Sequence, residues 1–387
     1  MPALDIARAD FLKTDDIVIF ERSVERFFDQ HAPEARIEKW RRDGMVERSM
    51  WREAGEAGLL CPSIPEAYGG AGGDFRHEVV VMEQIARKGI SGFAAGLHSA
   101  IVAPYILHYG SHEQKANWLP KMAAGEFIGA IAMSEPGAGS DLQGVRTTAR
   151  LDGNRYRING QKTFISNGQL ADIVIVVAKT DPSQGAKGTS LIAVETADAS
   201  GFHRGRNLDK IGMEAQDTSE LFFDDVSVPT ANLLGAAEGQ GFVQLMQQLP
   251  QERLTIGIGG VAVMERALAE TVAYVKVRKA FGQRLIEFQN TQFKLAECKT
   301  EATVARVFID RLIGLHLEGK LDAATASMAK YWVSDLENKV VDVCLQLFGG
   351  YGYINEYPIA RMFRDSRVQR IYGGTNEIMK LLIARTL

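Results

Sequence analysis

Apolar positions along the chain change their spacing twice, and the two changes divide the sequence into three parts. From about residue 16 to residue 122 they recur every three or four positions, as in Ile17, Phe20, Val24 and Phe27. This spacing places apolar side chains on one face of a helix and is typical of amphipathic helices. The first part is therefore predicted to be helical.

After residue 127 the helical spacing gives way to short runs rich in β-branched and aromatic residues. Such runs, separated by turns such as Asp152-Gly153-Asn154, predict β-strands. The polar, glycine-containing segment 181–188 is predicted to be an exposed loop. The predicted strands cover residues 147–151, 156–158, 173–178, 190–194 and 221–228.

From residue 241 the helical spacing returns and continues to the end of the sequence, with Val261, Met264, Leu268 and Val272 as one apolar stripe. A chain of 387 residues is long enough for two or three domains, each with its own core. The order helix, sheet, helix predicts an α+β fold. We expect an N-terminal helical domain at 1–126, a central β domain at 127–238 and a C-terminal helical domain at 239–387.

Composition narrows the classes of function. Charged residues make up 24% of the chain and the formal net charge is −4, which offers no basic stripe for nucleic acid. The apolar run at residues 89–107 is interrupted by Ser91, His98, Ser99 and Pro104, so it predicts a buried helix and no membrane span. Neither the three cysteines nor the seven histidines have the spacing of metal ligands, so no metal is expected.

The start of the sequence bears on location. Residues 1–16 carry acids among their apolar positions and show neither a secretory pattern nor an Arg-rich transit pattern. An odd number of cysteines that lie far apart in the sequence suits a reducing compartment. We expect a cytoplasmic protein of bacterial type, or a mitochondrial matrix protein if the chain is a processed eukaryotic one.

Four glycine-containing motifs are candidates for chemistry. Ala132-Met-Ser-Glu-Pro-Gly-Ala-Gly-Ser-Asp-Leu-Gln-Gly144 has Leu142 where a Rossmann fingerprint needs a third glycine, so a Rossmann site is rejected. On its own it predicts a tight turn after a strand. The others are Lys162-Thr-Phe-Ile-Ser-Asn-Gly168, Arg278-Lys-Ala-Phe-Gly-Gln-Arg-Leu-Ile-Glu-Phe-Gln289 and Gln346-Leu-Phe-Gly-Gly-Tyr-Gly352.

Together with the C-terminal segment Tyr372-Gly-Gly-Thr-Asn-Glu377, these motifs closely resemble the acyl-CoA dehydrogenases, and they occur in that family's order over almost the full length. The resemblance implies a C-terminal four-helix bundle, an FAD cofactor and an acyl-CoA substrate. It further implies a homotetramer that acts in fatty acid β-oxidation and passes electrons to an electron-transferring flavoprotein.

The resemblance also implies which residues contact the cofactor and the substrate. Arg278, Phe281 and Gln289 would reach the FAD of a neighbouring subunit. Arg278 would pair with its pyrophosphate, because a guanidinium suits phosphate oxygens. Ser140 would lie near both the flavin and the CoA thioester arm. The remaining implied FAD contacts are Met133, Ser134, Phe164, Ile165, Ser166, Gln346, Gly350, Thr375 and Glu377.

The catalytic base cannot occupy its usual place in this family, because Gly373 stands where most members carry the catalytic glutamate. Glu252, in Leu249-Pro-Gln-Glu-Arg-Leu254, is the candidate base, since apolar neighbours raise the pKa of a carboxyl towards neutrality. The long-chain acyl-CoA dehydrogenases are similar at both places. The resemblance implies that the Gly373 N–H binds the thioester carbonyl and that Gly374 and Arg253 also contact substrate.

Alternatives remain open at this point. Glu252 could pair with Arg253 in a purely structural role, as an isolated Glu-Arg in a helix often does. The chain could be an isovaleryl-CoA or other branched-chain dehydrogenase, since those enzymes also use a relocated glutamate. It could also be a non-catalytic FAD- or CoA-binding assembly protein that lost activity with the glutamate at 373.

Overall fold

The computed structural model describes residues 3–387 and begins with a helical region. Local signals explain where several helices begin and end. Asp74 accepts a hydrogen bond from the Arg76 N–H at the start of α4, and Gly44 and Gly89 end α2 and α4 in the left-handed conformation. The seven helices are α1 Asp15–His31, α2 Glu34–Asp43, α3 Arg48–Glu56, α4 Phe75–Lys88, α5 Ala95–Leu97, α6 Ala103–Tyr109 and α7 His112–Ala123.

The predicted buried helix is present, but it contains an irregularity that the sequence did not indicate. α5 and α6 are joined by a π-helical turn, His98–Val102. His98 is fully buried there, accepting at Nδ1 from the Gly129 N–H (3.0 Å) and facing the Met122 carbonyl through Nε2 (3.0 Å). Burial lowers the pKa of His98 to about 4, so the ring is neutral and links this helix to the β region.

A seven-stranded sheet forms the middle of the molecule. Its order is β1-β4-β2-β3-β7-β6, with β5 paired to the remaining edge of β4. β1 and β2 run parallel to β4, and the other pairs are antiparallel. The strands are β1 Gly129–Ala132, β2 Thr148–Asp152, β3 Arg155–Ser166, β4 Ile173–Lys179, β5 Thr189–Glu195, β6 Phe202–Asn207 and β7 Thr218–Pro229.

The strand predictions are correct in kind and incomplete in extent. β1 is the strand expected before the 132–144 turn, and β6 is additional. β3 continues eight residues past its predicted end to Ser166, across two irregularities in its pairing with β7. β6 carries mainly polar side chains on an edge of the sheet, so it has no apolar alternation to reveal it. The predicted loop at 181–188 contains a short 3₁₀ helix, Pro182–Gly188.

Long helices return after the sheet, as predicted. α8 runs from Gly241–Val277, a two-strand hairpin of β8 Lys279–Ala280 and β9 Gln283–Arg284 follows, and α9 begins at Gln289. Val261, Met264 and Leu268 of the predicted stripe are buried in the core that α8 shares with α9 and α10. The remaining helices are α9 Gln289–Leu317, α10 Ala323–Phe348, α11 Pro358–Ser366 and α12 Asn376–Ala384.

A buried ionic cluster joins the N-terminal and C-terminal helices. Glu83 of α4 accepts from Arg306 of α9 at 2.6 Å, from Arg8 at 2.7 Å and from Arg87 at 2.9 Å. Arg306 also contacts Glu265 of α8 at 2.7 Å. These arginines lower the pKa of Glu83 to about 2 despite complete burial, so the carboxylate stays charged.

Across residues 3–387 there is no helix with the length and apolarity needed to cross a membrane.

Candidate active site

Glu252 lies on α8, where that helix packs against the buried segment containing α6. Its Oε1 accepts a hydrogen bond from the Tyr105 hydroxyl at 2.7 Å, and the residue is only 7% exposed. Burial raises the pKa of Glu252 to about 7, and the Tyr105 hydrogen bond and the nearby Arg253 charge oppose this rise. The carboxyl therefore lies near the point where it can exchange a proton at neutral pH.

Arg253 is close to Glu252 in sequence but faces a different group. Its Nη1 donates to the Ser327 hydroxyl of α10 at 3.3 Å, and its buried Nε has no hydrogen-bond partner. Among the described residues Glu252 forms no ion pair. Neighbouring positions on a helix point about 100° apart, which keeps the two side chains separate. The structural role considered above, a Glu252–Arg253 pair, is not observed.

Gly373 and Gly374 form the turn before α12, and this turn lies against α8. Both have left-handed backbones, with φ of +65° and +93°. A Cβ on Gly373 would lie 2.5 Å from Cδ1 of Ile256, which is one helical turn after Glu252 on the same side of α8. The fold thus brings together the candidate base and the glycine that stands in the usual place of the base.

A buried lysine holds the glycine turn. Lys330 of α10 donates to the Gly374 carbonyl at 2.6 Å and to Asn376 Oδ1 at 2.9 Å. Burial lowers the pKa of Lys330 to about 8. Thr375 caps α12 by accepting from the Ile378 N–H at 3.4 Å, and Glu377 is exposed in the first turn.

One group of predicted FAD contacts meets at the end of β1. The Thr163 N–H donates to the Ser134 carbonyl at 3.0 Å, and buried Lys162 donates to the Met133 carbonyl at 3.0 Å. The next residue, Phe164, has φ of +60° and is 69% exposed, at an irregularity between β3 and β7. The Phe164 ring is therefore exposed beside the Met133–Ser134 backbone.

The neighbouring predicted contacts have different surroundings. The Ile165 side chain is buried in the core of the sheet, so only its backbone is available to a ligand. Ser166 is half-buried opposite Thr218, and Ser140 is exposed beyond Gly137 and Gly139, where an added Cβ would meet no atom.

A second group surrounds an open groove of about 650 Å³. Arg278, Gln346 and Gly350 line it, and the Arg278 guanidinium lies 5.3 Å from the centre of the Tyr351 ring. Gln289 is the exposed first residue of α9, and Phe281, in the hairpin, is 96% exposed. An open aromatic face, glycines with free space and a guanidinium suited to phosphate fit a flavin dinucleotide.

Sequence reasoning missed three residues of the site: Tyr105, Ile256 and Lys330. Each lies within a helix whose pattern also fits ordinary packing, and each meets its partner across a long sequence separation. The sequence signal at Tyr105 was only an aromatic residue in an apolar run.

Within residues 3–387 no group of three or more His, Cys, Asp or Glu side chains is arranged to hold a metal ion.

Comparison with known proteins gives consistent matches along the chain. The acyl-CoA dehydrogenase N-terminal, middle and C-terminal domains match residues 14–126, 130–226 and 239–387. The pig protein named long-chain specific acyl-CoA dehydrogenase, mitochondrial, is 52% identical over 371 residues, which are 95% of this chain and 86% of the pig protein.

Solved structures agree with these matches. An acyl-CoA dehydrogenase from Geobacillus kaustophilus superposes with a TM-score of 0.94 at 48% identity, covering 96% of this chain and 98% of the other. An acyl-CoA dehydrogenase from Bacillus anthracis, solved as a complex with FAD, superposes with a TM-score of 0.90 at 32% identity. That match covers 99% of this chain and 69% of the other.

Proposed function

The chain belongs to the acyl-CoA dehydrogenase family, and on that premise we propose that it desaturates a fatty acyl-CoA to the trans-2-enoyl-CoA with Glu252 as the base. The predicted family, fold class, enzyme class and FAD cofactor are confirmed by the comparisons. The identity of the base, the substrate and the electron acceptor are our proposals.

The observation that carries the proposal is the environment of Glu252. Abstraction of a proton from the α carbon of a thioester needs a base whose pKa is near neutrality. Glu252 is buried, has a pKa raised to about 7, and has its hydrogen-bonded oxygen on the side of Tyr105. Ile256, one turn further along α8, contacts the Gly373 turn, which supports a substrate position between the two.

The residues around the substrate have separable roles in this proposal. The Gly373 N–H would donate to the thioester carbonyl and stabilise the charge that develops when the proton leaves, an effect worth roughly 3 kcal/mol in comparable sites. Lys330 supports this role because it holds the Gly374 carbonyl at 2.6 Å. Ser140, Arg253 and Gly374 are the other proposed substrate contacts.

Bound FAD would supply the acceptor for the hydride that leaves the β carbon. The proposed cofactor contacts fall into the two groups described above. The first is Met133, Ser134, Ser140 and Phe164, with the backbone of Ile165 and Ser166. The second is Arg278, Phe281, Gln289, Gln346 and Gly350, to which Thr375 and Glu377 at the start of α12 are added.

The test of the base is Glu252→Gln in the FAD-loaded enzyme. The amide is nearly isosteric but cannot take the proton, so we expect flavin reduction by acyl-CoA under anaerobic conditions to slow by a factor on the order of 10² to 10⁴. FAD content and acyl-CoA affinity should remain close to those of the parent. Stopped-flow absorbance measures the rate.

A matched control is available in Glu78→Gln. Glu78 is also fully buried and also has a pKa raised to about 7, but its partner is Ser63, at 2.7 Å. We expect this variant to reduce flavin at the parental rate. Unimpaired reduction by Glu252→Gln would show that another group is the base.

The substrate class is proposed as long-chain acyl-CoA, with isovaleryl-CoA or another branched chain as the second candidate. Anaerobic titration over a series of acyl lengths and branches distinguishes them. Flavin that stays oxidised with every bound acyl-CoA would indicate the non-catalytic assembly protein. An electron-transferring flavoprotein is the proposed acceptor, and a homotetramer is the proposed assembly.

A further inference from the structure

Tyr105 is a buried phenol with one polar contact. Its side chain is fully buried, and its hydroxyl donates to Glu252 Oε1 at 2.7 Å. No other described residue accepts a hydrogen bond from this hydroxyl or donates one to Glu252 through a side chain. The contact joins α6 to α8 across 147 positions of sequence.

The other polar and titratable groups near Glu252 make no hydrogen bond to its carboxyl, although the Arg253 charge opposes the rise in its pKa. Arg253 Nη1 donates to Ser327, and Lys330 donates to Gly374 and Asn376. The Tyr109 hydroxyl, one turn after Tyr105 on α6, donates to Gln247 Oε1 at 2.8 Å. Tyr105 is therefore the side chain in a position to orient the Glu252 carboxyl.

Resting on the proposed function, we propose that Tyr105 is the positioning residue of Glu252: its hydroxyl holds Oε1, so that Oε2 is the atom that receives the α proton. The C–H bond of the substrate's α carbon breaks, the proton bonds to Oε2, and the electron pair stays on the substrate. Because Oε1 is held by Tyr105, the carboxyl presents Oε2 to the substrate in a constant orientation. A fixed orientation of the base favours proton transfer.

The hydrogen bond has a second consequence, for the ionisation of the base. A phenol that donates to a carboxylate stabilises its charged form and opposes the desolvation that raises the pKa of Glu252. Removal of the hydroxyl should therefore raise the pKa of Glu252 further. At a given pH below that value, a smaller fraction of the enzyme would then have an ionised base.

The test compares Tyr105→Phe with the control Tyr109→Phe in the FAD-loaded enzyme. Infrared titration of the buried carboxyl band, identified by its loss in Glu252→Gln, measures the midpoint without turnover. We expect Tyr105→Phe to move the midpoint upward by roughly one pH unit, the size of a hydrogen bond to a charged group. Tyr109→Phe should leave it unchanged.

The kinetic readout is the pH dependence of anaerobic flavin reduction. Well below the midpoint, Tyr105→Phe should be slower than the parent by about tenfold, because each unit of pKa changes the ionised fraction tenfold. Above the midpoint a smaller loss should remain, from the weaker orientation of the carboxyl. A merely structural role for Tyr105 would lower thermal stability and leave the midpoint where it is in the parent.

The outcomes of these variants are distinguishable, and one further replacement covers the loss of FAD. If Glu252→Gln reduces flavin normally, the proposed function fails whatever Tyr105 does. If Glu252→Gln is slow and Tyr105→Phe keeps the parental midpoint, only the positioning role is overturned. If Tyr105→Phe does not retain FAD, site-specific replacement of Tyr105 by 3-fluorotyrosine provides a stronger donor: a downward shift of the midpoint supports the proposal, and no shift overturns it.

Discussion

Two buried carboxylates, Glu83 and Glu252, have pKa values shifted in opposite directions in one molecule. Both are fully buried on long helices. Glu83 is surrounded by Arg306, Arg8 and Arg87, and its pKa is lowered to about 2. Glu252 has one neutral donor, Tyr105, and its pKa is raised to about 7. Burial disfavours the charged form of both carboxylates. The partners therefore decide whether the pKa is raised or lowered.

The difference separates an ion-paired carboxylate from the carboxylate that we propose as the base. Glu83 must stay ionised, because the buried Arg306 would otherwise lose a carboxylate partner. As the proposed base, Glu252 must be able to change its charge, and it forms no ion pair with an arginine that would hold it in the ionised form. Lower stability at the Glu252 site is the expected cost of the proposed role as a base near neutral pH.

The largest effect is expected from removing the charge of the ion-paired carboxylate, Glu83. Glu83→Gln leaves Arg306 with less compensation in a dry environment and should lower the free energy of unfolding by about 3 to 5 kcal/mol. Urea unfolding at fixed protein concentration and saturating FAD measures this. Glu21→Gln is the control, because Glu21 contacts the same Arg87 but its side chain is 40% exposed, so a loss below about 1 kcal/mol is expected. Equal losses in both variants would contradict the interpretation.

The pH dependence of stability should have opposite signs at the two sites. Glu252 has a folded pKa of about 7, above its ordinary value of 4.5, so its burial costs nothing below pH 4.5 and costs progressively more up to pH 7. Glu252→Gln should therefore be more stable than the parent by up to about 3 kcal/mol at pH 8, and by little at pH 4. A gain that is the same at both pH values would contradict a raised pKa.

Glu83 should show the reverse. Its folded pKa of about 2 lies below 4.5, so its contribution is fully present above pH 4.5 and is lost as the pH falls towards 2. The stability difference between the parent and Glu83→Gln should therefore narrow in acid. The same urea unfolding series, extended from pH 8 to the lowest pH at which the parent folds, measures both trends.

The smallest effect concerns a second position for the base. Gly373→Glu in the Glu252→Gln background places a carboxylate where the family resemblance implies the usual position of the base. The left-handed backbone and the contact of its Cβ with Ile256 should cost roughly 1 to 3 kcal/mol of stability. We expect partial recovery of flavin reduction, and greater recovery when Ile256→Ala makes room. Equal recovery with and without Ile256→Ala would show that the contact with Ile256 does not limit the activity of the relocated carboxylate.

Periodicity and motifs predicted much of the fold, and their failures have physical reasons. The helical and β parts, the apolar stripe on α8 and the candidate base were all visible, because each is a local pattern of a few residues. β6 was missed because an edge strand with polar side chains on both faces has no alternation. The π turn before α6 was missed because no local pattern marks it, and the contacts of His98 in this turn are with Met122 and Gly129, 24 and 31 positions away.

Helix geometry alone already separated the two carboxylates in part. Arg87 lies four positions after Glu83, on the same face of α4, whereas Arg253 directly follows Glu252 and points about 100° away. The sequence by itself therefore placed Arg87 beside Glu83, but it left a Glu252–Arg253 pair open. Only the tertiary structure decided that Arg306 and Arg8 would surround Glu83, and that Tyr105 would meet Glu252, because those partners lie 75 to 223 positions away and reach their contacts only when the helices pack.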